Sequence, residues 1–462
     1  MDETNVTKQA ETGVGRRWLF AGAAALAGTG IMAGAAPAEA ATTASLDWFD
    51  VQDYGAAGDG STDDTAAIQS ALDAAATAVA NASGAKGGVV YFPRGDYLVY
   101  PTAIAPALSV NADGIRLVGA SAKAATLVKG SSGILLSISG TGTTGTTGTE
   151  HRKYCAVEDL GFNGNGQTGS LLELYYADNL HFSNVFMSSN KDLCVDIVEL
   201  WDSRFYNLVI ESSTGTANST TQPNVWLRNS TTATSGAWGY STDNNNQIHF
   251  IGCRMEAFGT GALWINQGTG STNSTNGIYV TNCKFESSSM QGGPHLWVDA
   301  SARHVYATNI YCYAGGFASG YSTPRNIISW APMASVLENV LIANGSVATV
   351  NAGVDAYSGS TATVLRNVIG LYNTAPTGSH IYFEASSTGD FLVDNCTASV
   401  GTQVSGAVPA DNAPNPPLRL VAGAVSDTSF SHTPVDGTMA VDKTNDKLYI
   451  RVNGAWRSTA LS

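Results

Sequence analysis

The acidic side chains best suited to chemistry are concentrated between residues 173 and 211. Two reactions use such a set. Hydrolysis of a glycosidic bond needs one carboxylic acid and, about 5 to 9.5 Å away, a second carboxylate as base or nucleophile. Lyase chemistry on a uronate needs a base for the C5 proton and a cation, Ca²⁺ or arginine, that neutralises the sugar carboxylate. The candidate catalytic residues are Asp196, Asp202, Glu199 and Glu173.

Asp196 is the first candidate for a catalytic acid. Val195 and Ile197 flank it, and side chains alternate along a strand, so two apolar neighbours pointing inward leave Asp196 pointing outward. Asp202 is the second candidate, and Glu211 lies near the same place in the sequence. For each acid taken alone, the alternative is a solvated surface residue with no role in catalysis.

Side chains that could bind a sugar lie in the same part of the sequence and just after it. The step from Asn207 to Gly252 is 45 residues, longer than its neighbours, and its second insertion brings aromatic and amide groups together. Aromatic rings suit sugar faces, and polar groups suit hydroxyls. The alternative is a long loop without function. The candidate substrate-binding residues are Arg204, Arg228, Trp226, Trp238, Tyr240, Asp243, His249, Arg254 and Trp264.

Two columns of outward side chains have alternatives that stay open. Tryptophans recur at equivalent strand positions (226, 264 and 297), where they either line a sugar groove or pack against a neighbouring chain. Glu256 and Glu286 lie beside Arg254 and Lys284 in consecutive repeats. Stacked carboxylates repel unless they are paired, so a stabilising ladder of charges is favoured there over catalysis.

The cysteines give no sign of a metal centre. They form no CxxC pair and have no spacing typical of metal ligands. We therefore expect no cofactor, with Ca²⁺ considered only for a lyase. Because the export route inferred below takes folded proteins from a reducing cytoplasm, we expect mostly free, buried thiols. The six are Cys155, Cys194, Cys253, Cys283, Cys312 and Cys396.

A repeat of 27 to 30 residues organises the middle of the chain. Short apolar-polar alternating segments each contain a turn residue, at Gly252, Asn282, Asn309, Asn339, Asn367 and Asn395, and Asp159, Asn184 and Asn207 extend the series upstream. A second strand precedes each turn segment. Such a period predicts stacked coils, with side-chain amides laddering at a left-handed bend.

The start of the mature chain carries a recognisable pattern. The segment at 51–72, VQDYGAAGDGSTDDTAAIQSAL, is followed at 87–97 by GGVVYFPRGDY. This combination resembles the pectate-lyase-like right-handed β-helix superfamily, which includes rhamnogalacturonase-like and pectate-lyase-like enzymes and tailspike-type proteins. The resemblance implies the fold but no particular reaction. Asp53, Asp59, Asp63 and Asp64 are interpreted as turn and helix-cap residues.

The two ends of the chain have separate interpretations. Arg16 and Arg17 precede a mildly apolar run that ends in a small-x-small cleavage pattern at 38–40, which indicates a twin-arginine signal peptide over 1–40. A Pro/Ala/Asn-rich linker is predicted over 405–424. The strands predicted in 425–462 resemble a phage-tail C-terminal hairpin module.

The amino-acid composition limits which classes of function are possible. The net charge of −14 argues against nucleic acid, and 44 % hydrophobic residues suffice for a core. We predict an all-β right-handed parallel β-helix over 41–404, with an N-terminal cap (46–100) that holds one helix, and a small C-terminal β module. The predicted function is a secreted glycoside hydrolase or polysaccharide lyase, with no membrane span, as a homotrimer. The alternative is a non-catalytic, tailspike-like or adhesive glycan-binding trimer.

Overall fold

The computed structural model of the chain describes most residues after the N-terminal region. The described residues are 48–81, 87–141, 151–211, 222–228, 244–256, 260–265, 275–287, 293–315, 326–345, 350–357, 363–383, 391–406, 419–421, 424–426, 439–442, 444–445 and 447–460. The proposed signal peptide lies outside them.

A short cap opens the fold. It contains β1 (Trp48–Asp50), a 3-10 helix (Val51–Tyr54), β2 (Asp59–Asp63) and α1 (Thr65–Asn81). The acids here act in turns and caps, as predicted. The Asp63 carboxylate accepts hydrogen bonds from the backbone N–H and hydroxyl of Thr65 at the start of α1. Buried Asp64 accepts from the backbone N–H groups of Ala57 and Gly58.

One large sheet, which includes β1 and β2, is wound into parallel coils, and the expected parallel β-helix is confirmed. Each complete coil contributes to three faces, and every strand pairs with its equivalent one coil away.

Face A pairs β1 successively with β3 (Val89–Phe92), β6 (Arg116–Gly119), β10 (Ala156–Glu158), β13 (His181–Ser183), β16 (Arg204–Tyr206), β19 (Asn246–Ile251), β22 (Asn276–Thr281), β25 (Arg303–Ala314), β27 (Val336–Asn344), β29 (Thr363–Tyr372) and β31 (Phe391–Asp394).

Face B pairs β2 with β4 (Gly95–Val99), β7 (Ala125–Lys129), β11 (Gly161–Asn163), β14 (Phe186–Ser188), β17 (Val209–Glu211), β20 (Arg254–Glu256), β23 (Lys284–Ser287), the second halves of β25, β27 and β29, and β32 (Thr397–Ala398).

Face C pairs β5 (Leu108–Ser109) with β8 (Leu136–Ser137), β12 (Leu172–Asp178), β15 (Val195–Trp201), β18 (Val225–Arg228), β21 (Leu263–Ile265), β24 (Leu296–Val298), β26 (Ile328–Trp330), β28 (Val354–Ala356), β30 (Ser379–Phe383) and β33 (Thr402–Gly406). The short strand β9 (Arg152–Lys153) pairs with the end of β12.

The core follows from strand alternation. Inward side chains of successive coils stack on like side chains, as in the parallel rings of Phe182, Phe205 and Phe250, whose centroids are 4.6 and 4.8 Å apart. All six cysteines are free thiols, and all but Cys396 are buried, as expected. The parallel pairing leaves alternate side chains on the outside, where a ligand can reach them.

The predicted amide ladder is confirmed at the bend between faces A and B. The turn residues adopt left-handed backbone angles, for example φ 54° at Asn339. The Asn339 amide donates to Asn309 Oδ1 at 3.2 Å, and Asn367 donates to Asn339 Oδ1 at 2.8 Å. Gly252 takes the same conformation, with φ 64°, but contributes no amide to the ladder.

A separate four-stranded sheet follows the coils in sequence. It consists of β34 (Arg419–Val421), β35 (Met439–Asp442), β36 (Lys447–Val452) and β37 (Ala455–Ala460), of which the last three are antiparallel. β34 lies inside the segment 405–424, which we predicted as a linker. The sequence did not indicate this strand, because amino-acid composition carries no information about its parallel pairing with β35. Within the described residues, no helix is both long and apolar enough to cross a bilayer.

Candidate functional site

One outward position on face C repeats through successive coils and forms what we call the acid–tryptophan column. Strand register defines it, because each member is the direct partner of the next. Neighbouring strands are about 4.8 Å apart, so each side chain lies over the one before. The members whose side chains the structure describes are Ser109, Ser137, Glu173, Asp196, Trp226, Trp264, Trp297, Ser329, Asp355 and Tyr382.

Asp196 is held in a closed network. Arg228 Nε donates to Asp196 Oδ1 at 2.9 Å, and Arg228 Nη2 donates to Oδ2 at 2.9 Å. The Tyr175 hydroxyl donates to Asp196 Oδ2 at 2.5 Å and accepts from Arg228 Nη2 at 2.8 Å. Because this bidentate pairing is strong and directional, the Asp196 carboxylate is fixed in orientation.

Glu173 has a different environment although it is the direct strand partner of Asp196. Burial, and after it the neighbouring Asp196 charge, raise the pKa of Glu173, whereas Ser137 and Arg228 lower it, and the net value is about 7. The Ser137 hydroxyl lies 3.2 Å from Glu173 Oε1 and donates to it. Glu173 can therefore hold or release a proton near neutral pH.

Tyr175 and Arg228 keep fixed protonation states. Burial and the Asp196 carboxylate raise the pKa of Tyr175 well above its usual range, so its hydroxyl remains a donor. Burial lowers the pKa of Arg228, but Asp196, Tyr175 and Glu173 together outweigh this effect and the net shift is upward. The guanidinium also lies over the Tyr175 and Trp226 rings, 5.8 and 5.4 Å from their centroids.

The structure brings three sequence candidates together and adds two residues. Glu173 and Asp196, two of the catalytic candidates, lie together with the substrate-binding candidate Arg228, and Trp226 lies beside them. Ser137 and Tyr175 were missed by sequence reasoning. A signal for Tyr175 existed, since it lies two residues after Glu173 and so shares its side of the strand. Serine at position 137 had no signal beyond its place in a short strand.

Glu199 does not reach this network. It lies three residues after Asp196, so regular alternation already places it on the opposite side of the strand, and it adopts a left-handed conformation, with φ 52°. Its Oε1 lies 2.9 Å from His151 Nε2, and both side chains are almost fully buried, at 3 and 2 % exposure. Tyr176, at the corresponding position of the preceding coil, has the same φ of 52°. Tyr176 and Glu199 thus form a bend with polar side chains next to the column.

The tryptophans are in register, but they are not open to the same degree. Trp264 meets Trp226 and Trp297 edge to face, with centroids 6.2 and 4.8 Å away. It is only 6 % exposed, because the backbone around Gly261 and Gly293 packs against its indole. Its Nε1 donates to Pro294 O at 3.1 Å. The structure thus differs from our expectation of an accessible surface at Trp264, whereas Trp226 and Trp297 are half-buried.

The remaining described candidates lie on other parts of the coil. Exposed Asp202 occupies the bend after face C, while Arg204 and His249 are register partners on face A. His249 stacks on Tyr279 with centroids 4.4 Å apart. They are therefore not brought to the Glu173–Asp196 pair.

Arg254 belongs to face B. It pairs with Glu211 at 2.6 Å and with Glu256 at 3.6 Å, and Lys284 joins Glu256 and Glu286 at 2.8 and 2.6 Å. This is the ladder of charges favoured above, and it accounts for Arg254 and Glu211 without a substrate.

Three sequence candidates, Trp238, Tyr240 and Asp243, lie outside the described residues. Among the residues that are described, no group of three or more His, Cys, Asp or Glu side chains could hold a metal ion. The site is thus a proton-carrying carboxyl beside an ion-paired carboxylate.

The sequence that forms this fold and this site matches a known protein family. Residues 48–318 match the sequence profile of the rhamnogalacturonase A/epimerase, pectate lyase-like family. The chain belongs to this family. The matched range includes the cap, the column from Ser137 to Trp297 and the whole Glu173–Asp196–Arg228 network.

Individual relatives match over short segments. Mannuronan C5-epimerase AlgE3 of Azotobacter vinelandii is 57 % identical over 51 residues, which is 11 % of this chain and 2 % of that protein. Plasmin and fibronectin-binding protein A of Streptococcus pneumoniae is 59 % identical over 49 residues, 11 % of this chain and 6 % of that protein. Among solved structures, ORF18 of Geobacillus virus E2 covers 90 % of this chain and 86 % of its own, with 18 % identity and a TM-score of 0.56, which shows a shared fold.

Proposed function

We propose that the protein is a glycoside hydrolase that cleaves a polysaccharide lying along face C. Glu173 is the general acid and Asp196 the carboxylate that acts at the anomeric carbon. The observation that supports this assignment is the contrast between direct strand partners: Glu173 has a pKa raised to about 7, and Asp196 is ion-paired with Arg228. Two carboxyl groups whose environments differ in this way are typical of acid and nucleophile roles.

The spacing favours retention of configuration. Carboxyl groups about 5 to 5.5 Å apart are typical of retaining enzymes, whereas inverting enzymes leave room for a water. Glu173 and Asp196 project from adjacent strands about 4.8 Å apart. Among the described residues, Asp196 Oδ1 accepts a hydrogen bond from Arg228 Nε alone, which leaves it a lone pair for the substrate, and Tyr175 and Arg228 orient the carboxylate.

The same geometry disfavours the lyase reaction at this position. Tyr175, of a residue type that can serve as a lyase base, belongs to the network, but its raised pKa keeps the hydroxyl protonated. Arg228, the nearest cation, already neutralises Asp196 and is not available for a sugar carboxylate. These two observations support hydrolysis.

The test is an activity screen on a broad glycan panel, with reducing ends and absorbance near 235 nm as readouts. We expect new reducing ends without absorbance and, by NMR, a first product with the configuration of the substrate. Glu173→Gln should lower kcat by about 10²- to 10⁴-fold. The matched control Glu256→Gln, in the face B charge ladder, should retain activity. Equal activity of Glu173→Gln and the parent protein would refute the assignment.

The second candidate is a non-catalytic glycan-binding protein. The observation that favours it is that the two carboxylate oxygens of Asp196 accept three hydrogen bonds. The same arrangement is typical of an ion pair whose role is purely structural. Retained glycan binding with no cleavage across the panel would select it. Export by the twin-arginine route and homotrimer formation stay predictions for either function.

A further inference from the structure

Two tryptophans of the acid–tryptophan column offer ring surface to a ligand, and a third between them does not. Trp226 and Trp297 are half-buried, whereas Trp264 is 6 % exposed. The three are direct strand partners in consecutive coils, so the accessible rings lie two strand spacings apart, about 10 Å along the helix axis. Accessible aromatic surface therefore recurs at the second coil and not at the first.

Both accessible rings are held in place by the protein itself. The guanidinium of Arg228 lies over Trp226, with Cζ 5.4 Å from the ring centroid. Trp297 Nε1 donates to the Tyr357 hydroxyl at 2.6 Å. Trp264 meets both rings edge to face and separates them. Because the rings are already ordered, a sugar that stacks on them costs little side-chain entropy.

The spacing of these rings restricts the shape of a glycan that can use both. Consider an extended chain of pyranoses joined by equatorial bonds at opposite ends of each ring. Each unit advances by close to one strand spacing and is turned over relative to its neighbour. Every second sugar then presents the same face on the same straight line, as the two tryptophans do. In a chain that curves into a helix, the third sugar leaves that line.

The stacking positions can be placed relative to the proposed cleavage point. Counted in coils from Asp196, the sugar over Trp226 is the first and the sugar over Trp297 is the third. The next ring in the column is Tyr382, three coils beyond Trp297. Aromatic contacts are thus made by the first and third sugars, and none is made by the fourth and fifth within the column.

We propose that the glycan bound along face C has an extended, ribbon-like backbone of equatorially linked pyranoses, which stacks on Trp226 and Trp297 through alternate sugars. This inference rests on the proposed function, because it takes the column as the glycan-binding surface. It names the shape of the backbone and not the sugar, so glucose, mannose and N-acetylglucosamine chains of this shape all fit.

A length series tests the contribution of the second ring. Glu173→Gln protein, used to stop turnover, is titrated by calorimetry with cello-, β-manno- and chito-oligosaccharides of two to five units. Three units are needed to cover both rings. In at least one series we therefore expect affinity to rise about tenfold when the third unit is added, and by less than about twofold with the fourth or fifth.

Variants at Trp297 separate stacking from folding. On the same background, Trp297→Ala should lose the step at the third unit. Trp297→Phe keeps a ring but not the indole N–H, so it should retain most of the step. The matched control is Tyr306→Ala, which removes a half-buried outward ring from face A and should leave the step unchanged. A step that survives in Trp297→Ala, or that is lost in Trp297→Phe, would overturn the proposal.

Chain curvature gives a second readout that needs no substitution in the column. Malto- and laminari-oligosaccharides consist of glucose, as cello-oligosaccharides do, but their chains curve. Neither should show the step at the third unit. A curved series that shows the step, or that binds more tightly than every ribbon-like series, would overturn the proposal.

The outcomes separate this inference from the proposed function. A step at the third unit, without cleavage of the matching polymer by the parent protein, would overturn the hydrolase and leave the inference intact. Cleavage of a curved polymer alone would overturn the inference and leave the hydrolase intact. Failure of every series to bind and of every polymer to be cleaved would overturn both.

Discussion

Ser137 donates a hydrogen bond to Glu173 from the coil immediately before it, at 3.2 Å. The hydroxyl stabilises the ionised carboxylate and so lowers the pKa of Glu173, against the larger upward effects of burial and Asp196. The proton affinity of Glu173 is thus set by both of its neighbours in the column.

Ser137→Ala should therefore shift the pH profile. Without the donor, the pKa of Glu173 rises, so the protonated acid persists to higher pH. The alkaline limb of kcat/KM, expected near pH 7 in the parent protein, should move upward. Ser329→Ala, the same change farther along the column, is the control and should leave the limb in place. A downward movement in Ser137→Ala would contradict the assignment of Glu173 as the acid.

Arg228→Met should destabilise the protein by about 3 kcal/mol, because it leaves the Asp196 carboxylate, only 11 % exposed, without its cation. Denaturant unfolding measures the effect. In the double variant Asp196→Asn/Arg228→Met the unpaired charge is gone, so the loss should be smaller than the sum of the single losses. Additive losses would mean that the pair contributes no coupling.

Because Lys129 is buried, we expect the free energy of unfolding to rise with pH. Lys129 is fully buried, and its Nζ donates to Gly169 O at 2.9 Å and to Asn190 Oδ1 at 3.2 Å. Burial lowers its pKa from 10.5 to about 8 in the folded protein. Between these values the unfolded chain binds more protons than the folded one, so stability increases with pH.

The matched comparison is Lys129→Met. The free energy of unfolding of the parent protein, relative to this variant, should increase by ~3 kcal/mol between about pH 8 and pH 10.5. Other groups that titrate in this range are common to both proteins and cancel. Parallel pH profiles would show that the pKa of Lys129 is the same in the folded and unfolded states, and would contradict the downward shift.

Gly252→Asn should stabilise the protein by about 1 kcal/mol, because it supplies the amide missing between Asn207 and Asn282. An added Cβ at Gly252 meets nothing within 4 Å, and asparagine tolerates its left-handed φ of 64°. The control Gly252→Ala places a side chain in the same conformation without an amide and should cost about 1 kcal/mol. Thermal or urea unfolding distinguishes the two, and a destabilised Gly252→Asn would contradict the ladder account.

The fold could be predicted from sequence because its signals are local. Each left-handed Asn and each apolar-polar alternation lies within a few residues, and the repeat multiplies them. The exceptions are also local: Glu199 adopts a left-handed φ of 52°, and its residue type does not indicate this conformation. The burial of Trp264 depends on Gly261 and Gly293, which face it from neighbouring turns.

The division of roles in the site could not be predicted in the same way. Asp196 was the first candidate for the acid, but Arg228, 32 residues away in the sequence, pairs with its carboxylate. Glu173 becomes the proton carrier because Asp196 lies one coil away and because it is buried. These effects arise from stacking, which spacing along the chain does not specify.

The distribution of the site over successive coils has a consequence for how the protein is made. Ser137, Glu173, Asp196 and Arg228 belong to four consecutive strands of face C, from β8 to β18. A nascent chain that has not yet added the strand of Arg228 lacks the cation that orients Asp196, so it is not competent for chemistry. The proposed site is thus completed when about half of the 462 residues have been made, after the coil that carries Arg228 has docked on its predecessor.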